Sequence, residues 1–167
     1  MNVEIYDCPL PNDTGTPDTG ELLILPWYSA QENREQGKAV YPESTSTVLK
    51  LLRKNSIEVR LSEGDLSAVV FEDRHSIEWF GPIIFFSAAA IANNPEIITI
   101  TLNIISNYLS DILFGDKVTK DEPIANFHVV LQDKEGAKEI KYEGPVSGIS
   151  DIENVIKAIK NDSKGIA

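Results

Sequence analysis

Residues 83–114 read IIFFSAAAIANNPEIITITLNIISNYLSDILF, and Glu96 and Asp111 are the only charges in the stretch. Its conformation decides the fold, because no other part of the chain offers as much continuous apolar surface. Two periods compete inside it. Ile98, Ile100, Leu102 and Ile104 alternate with Thr99, Thr101 and Asn103, as in a strand. Over a longer window Thr99, Asn103, Ser106 and Ser110 instead make a polar stripe at three- and four-residue spacing, and that period predicts a helix over Ile97–Leu113. Pro95 suits the start of such a helix and Glu96 its first turn. Ile83–Ala92 is expected to form a shorter helix before it, stopped at Asn93-Asn94-Pro95.

Toward the C-terminus, Phe127, Val129 and Leu131 alternate with His128 and Val130, and a Gly-containing turn leads to Ile140 and Tyr142, which predicts a hairpin. Ser150 and Glu153 have the spacing of a capping box, and Ile152, Val155, Ile156 and Ile159 form the apolar stripe of a final helix. Toward the N-terminus, Val3–Tyr6 and Leu22–Leu25 are short strand candidates on either side of a Pro/Gly-rich stretch. Trp27 and Tyr28 precede a polar loop through Glu43 and are expected to anchor that loop on the core. The residues after Pro42 predict a helix bearing Val48, Leu51 and Leu52, with Lys50, Arg53 and Lys54 near its end. Ile57, Val59 and Leu61 follow as a half-buried strand; Ala68–Phe71 and Ile77–Phe80 would continue it as an antiparallel meander. The expected fold is α+β, with a short mixed or antiparallel sheet, a central apolar helical pair and a C-terminal ββα unit. Residues 1–43 form a strand- and turn-rich segment that shares one core with an α+β domain over 44–167.

Composition narrows function by exclusion. The 167-residue chain carries a formal charge of -11, and no basic cluster larger than Lys50, Arg53 and Lys54 interrupts it. Such a field repels nucleic-acid phosphates and anionic headgroups, so no nucleic-acid partner is expected. Cys8 is the only cysteine, so no intrachain disulfide can form, and its neighbours Asp7, Pro9 and Pro11 give no electropositive setting for a reactive thiol. The first residues lack the positive flank and apolar run of a secretory signal, and a cytoplasmic location is the expectation.

The apolar centre has three possible uses. A membrane hairpin is disfavoured, because the uncharged pieces Ile83–Pro95 and Ile97–Ser110 fall short of the roughly 18 apolar residues a span requires. Core packing is the second use, and contact with a protein partner or a second copy the third. The last two can coexist, with one helix face on the sheet and the other outward. Ile105, Tyr108 and Leu109 are the expected contact anchors.

Chemistry-bearing patterns are sparse. Asp13-Thr14-Gly15, repeated as Asp18-Thr19-Gly20, resembles the catalytic triplet of aspartic proteases. The match covers only the triplets, and both acids lie five residues apart in one Pro/Gly segment, where Asx-turns account for them. Glu72, Asp73, His75 and Glu78 could supply a general acid and base to a small hydrolase if a cleft joined them; otherwise they are a solvated turn. Two histidines and one cysteine leave little for a metal centre, and neither a metal nor a cofactor is expected. Asp116, Asp121 and Glu122 lack the spacing of a calcium loop. Gly144–Gly148 could approach an anion, but Glu143, Asp151 and Glu153 surround it with like charge. The reading that remains is a non-enzymatic accessory protein that self-associates or binds a protein through its central helices.

Overall fold

The computed structural model describes residues 2–8, 20–28, 37–64, 70–72, 79–114, 124–132, 136–149 and 151–165. In chain order these form β1 (Asn2–Cys8), β2 (Leu22–Leu25), β3 (Val40–Pro42), α1 (Thr45–Lys54), β4 (Val59–Leu61), β5 (Val70–Glu72), β6 (Trp79–Phe86), α2 (Ala88–Asn93), α3 (Ile97–Phe114), β7 (Ile124–Gln132), β8 (Ala137–Pro145), a 3-10 turn at Val146–Gly148, and α4 (Asp151–Gly165). The result is a mixed α+β fold. Its six-stranded sheet has the order β1-β8-β7-β6-β2-β4, and β3 and β5 pair separately. The β6/β7 and β2/β4 pairs are parallel and the remaining pairs of the large sheet antiparallel.

Alternation along the strands sends one set of side chains toward the helices. Leu22 and Ile24, Ile84 and Phe86, Phe127 and Val129, and Ile140 and Tyr142 join one buried cluster with Val48 and Leu52 of α1, Leu102 and Ile105 of α3, and Ile152 and Ile156 of α4. Residues of the N-terminal segment thus occupy the same core as those of the C-terminal half. The alternate positions Leu23, Phe85, Val130 and Ala137 form a smaller buried cluster of their own.

Three expectations from the sequence need correction. Ile83–Phe86 is not helical; it is the second half of β6, an interior strand between β7 and β2. Such a strand buries both faces and therefore reads as a continuous apolar run, which periodicity alone does not separate from a buried helix. The break lies at Ser87, whose hydroxyl oxygen accepts from the Ala90 amide at 3.1 Å and caps the six-residue α2. The strands after α1 also do not form an antiparallel meander, because β4 pairs in parallel with β2 and β5 in parallel with β3. Finally, the loop expected up to Glu43 contains β3, which carries the fully buried Tyr41.

A bulge in β6 sets which side chains reach the helices. Phe80 pairs with Asn126 and Ile83 with His128, so Gly81 and Pro82 together face the single residue Phe127. Pro82 has no amide hydrogen to give a regular ladder, and a bulge is where a strand interior accepts one. The extra residue also inverts the alternation. Trp79 packs on the helix-side cluster before the bulge, and Ile84 and Phe86 do so after it. An uninterrupted strand would have put residues 79 and 84 on opposite faces.

Local capping agrees with the C-terminal end of α1. Arg53 and Lys54 occupy its last turn, and Asn55 is its C-cap. Ser56 follows at φ 64°, with its amide donating to the Arg53 carbonyl and the Ile57 amide donating to that of Leu52. These two bonds are a Schellman closure that delivers Ile57 to the core.

Candidate functional site

The side of α3 that meets the core is built from Ile97, Ile98, Thr101, Leu102, Ile105 and Leu109, all buried. Their three- and four-residue spacing is the stripe expected of a helix lying on a sheet. Thr101 has a buried hydroxyl with no hydrogen-bond partner, which leaves one uncompensated polar atom on an otherwise apolar face. The polar stripe read from the sequence points elsewhere. Thr99 donates its hydroxyl to Glu153 of α4 at 2.8 Å, and Asn103 is exposed. Glu153 also accepts from Lys157 at 3.0 Å. The Thr99 hydrogen bond, followed by that from Lys157, holds the Glu153 carboxyl below its ordinary pKa.

Facing outward from α2 and α3 is a surface with little charge. Ala92, Asn94, Ile100, Asn103 and Asn107 are exposed and Ile104 is half-buried. Ile100 is 37% exposed, among the largest apolar exposures in the described residues. Asn94 holds the junction between the helices: its amide donates to the Ala90 carbonyl, and its side-chain oxygen accepts from the Glu96 amide at 3.2 Å. That second bond is an Asx-turn and starts α3. Beside the junction, Gly20 has φ 76° and lies so close to the Asn93 side chain that a Cβ would overlap it.

The expected contact anchors are divided by this geometry. Ile105 and Leu109 are 1% and 0% exposed within the single chain, so both are already spent on the core. Tyr108 is half-buried and packs against the edge of that core, which leaves it reachable. The outward side of α3 is marked by the exposed Ile100 and by Ile104, half-buried at the core edge like Tyr108, rather than by Ile105 and Leu109. The signal that separates them is the 100° step per residue: Ile100, Asn103, Ile104 and Asn107 share one face.

The acidic-turn candidates fall where little can be said of them. Asp73, His75 and Glu78 lie outside the described residues, and Glu72 is placed by its backbone alone, opposite Pro42. Asp13-Thr14-Gly15, Asp18 and Thr19 of the second triplet, and Asp116, Asp121 and Glu122 also lie outside them. The Gly144–Gly148 segment is inside. Gly144, Val146 and Gly148 are buried, and Pro145 accepts a 2.6 Å hydrogen bond from the Tyr142 hydroxyl through its carbonyl. Its backbone thus lies against the core at Gly144, Val146 and Gly148. No group of three or more His, Cys, Asp or Glu side chains suited to a metal ion occurs among the described residues. No helix among them is long and apolar enough to cross a membrane.

A second cluster, which the sequence reading did not single out, crosses β1, β8 and β7. His128 Nδ1 lies 2.8 Å from Glu139 Oε1. Tyr6 donates to Glu4, and the Lys141 ammonium sits 5.1 Å from the centre of the Tyr6 ring. The Tyr6–Lys141 contact depends on pairing β1 with β8, strands distant in sequence, whereas His128 and Glu139 meet within the β7–β8 hairpin. The His128 hydrogen bond is the chief cause holding the Glu139 carboxyl below its ordinary pKa, with burial acting in the opposite direction. A depressed carboxyl pKa gives stability that is present above the unfolded value, about 4.3, and is lost as pH falls through the lower folded value. His128→Leu is therefore expected to move the Glu139 titration upward and to reduce this acid-side loss. Carbon-detected NMR titration of Glu139 checks it; an unchanged midpoint would show that the pair does not form in solution.

No protein-family model matches the chain, and no curated protein or solved structure matches it significantly.

Proposed function

We propose that this chain is a non-enzymatic accessory protein that binds another protein through the outward face of its central helices. In this reading α2 and α3 act as one apolar pair, and the β7–β8 hairpin with α4 supports them as a ββα unit. The observation that carries the reading is a contrast in charge. The chain has a formal charge of -11, yet the exposed positions from Ala88 to Asn107 include a single ionisable residue, Glu96. Water-facing helix surfaces are ordinarily rich in charge, and interface centres are depleted in it. Ile100 and Ile104 would supply apolar burial, and Asn103 and Asn107 would set the register through paired amides. The surrounding acidic field favours a partner whose contact centre is uncharged and whose rim is basic.

The test places a photo-crosslinking residue at Asn103 or Asn107 and a control at Lys50, which is exposed on α1. A discrete protein adduct at the two α3 positions, absent at Lys50, is expected. Ile104→Asp should reduce it about tenfold or more, since a charge at a desolvated contact costs at least ~1.4 kcal/mol. Unchanged helicity by circular dichroism separates lost binding from lost folding. Equal adducts at all three positions would overturn the reading.

A further inference from the structure

Away from the helical surface, β1 lies at one end of the large sheet. We propose that it pairs antiparallel with β1 of a second copy, about a two-fold axis at Ile5. The two edges of the large sheet are unlike. At one end β4 is three residues long, and the Val59 carbonyl there is occupied by Arg53 Nε at 3.1 Å. At the other end β1 runs for seven residues, and among the described residues β8 is the only strand paired with it. Glu4, Ile5, Tyr6 and Asp7 are exposed, with Ile5 at 47% and Tyr6 at 43%. A long edge with exposed apolar side chains, which no element among the described residues covers, is a template for strand addition.

Charge selects a second copy as the occupant. Acids on an edge ordinarily repel their own kind, but here each is set against a lysine of β8. Glu4 pairs with Lys141 and Asp7 with Lys138, whose ammonium lies 3.7 Å from Asp7. Lys141 also covers the Tyr6 ring. Each acid thus has a partner inside its own sheet before another copy arrives, Asp7 the Lys138 ammonium and Glu4 the Tyr6 hydroxyl. Centring the pairing on Ile5 then sets Ile5 against Ile5, Glu4 against Tyr6 and Val3 against Asp7. No acid directly opposes another, whereas centring on Glu4 would make two carboxylates meet. Directly opposed like charges destabilise a strand pair, and opposed apolar residues stabilise it. An isologous contact of this kind closes after two copies and continues both sheets into one. One strand pair is a small interface, below ~1,200 Å², so a reversible dimer is expected rather than an obligate one.

Sedimentation velocity over a concentration series tests the proposal with the full chain. The wild-type chain should pass from monomer to dimer as concentration rises. Ile5→Lys and Ile5→Glu each set like charges against themselves on the axis, and each alone should weaken the dimer about tenfold or more. Mixed in equal amounts, the two variants should restore it, because lysine then faces glutamate; a merely unfolded variant would not be rescued in this way. Ile104→Asp should leave the dimer intact. A wild-type chain that stays monomeric throughout, variants that pair as wild type does, a mixture that stays monomeric, or loss of the dimer in Ile104→Asp would each overturn the proposal.

Discussion

Phe127→Ala is expected to destabilise the chain by about 3–5 kcal/mol, the range for removing a large aromatic from a packed core. Phe127 is 1% exposed at the centre of the sheet. Its ring stands edge-on to Trp79 at 6.4 Å between centroids and tilted against Tyr142 at 5.9 Å. Truncation would forfeit both ring contacts and open a cavity that the interior strands on either side have little freedom to close. Urea denaturation should show a lower midpoint with an unchanged slope. A loss below the size of a single methylene would mean that Trp79 collapses into the space and that the aromatic row is not fixed.

Gly81→Ala is the second large effect, expected at about 1–3 kcal/mol as an overpacking cost. The Trp79 ring lies over Gly81, so that an added Cβ would overlap Trp79 Cζ3 and Cη2 and stand 2.9 Å from Phe127 Cβ. The methyl cannot be accommodated unless the indole swings away, and Trp79 would then lose its contact with Phe127. Because both substitutions act on the same ring, their costs should not add: the cavity left by Phe127→Ala gives the displaced indole somewhere to go. A double-mutant cycle is expected to show the combined loss smaller than the sum. Strict additivity would place the strain of Gly81→Ala in the backbone of the bulge instead.

Local patterns in the sequence located most elements because they arise from period and capping, which neighbours along the chain control. Ile97–Phe114 is a helix, as its polar stripe predicts, despite a high share of β-branched residues. The β7–β8 hairpin follows from two alternating runs around a turn. The misreading of Ile83–Phe86 has an equally definite cause. A strand buried on both faces has no polar period, and only its pairing with β7 and β2 distinguishes it from a helix. The bulge at Gly81 and Pro82 was invisible for the same reason: it exists relative to Phe127 on the partner strand. For the candidate surface, the sequence marked the helix and its lack of charge. Which side of it faces out depended on how α3 is rotated over the sheet. That rotation buried Ile105 and Leu109 and left Ile100 outside.

The sequence by itself determined an acidic chain, a central helix with Asp111 as its one charge, a C-terminal hairpin and a composition without a basic nucleic-acid footprint, since each follows from composition or from spacing within one segment. Tertiary structure alone decided the parallel joins at β6/β7 and β2/β4, the place of β1 at one end of the large sheet, and the meeting of Tyr6 with Lys141. Those depend on which strands become neighbours. Strand order is chosen by burial of whole faces across the molecule, a property that no short window of residues contains.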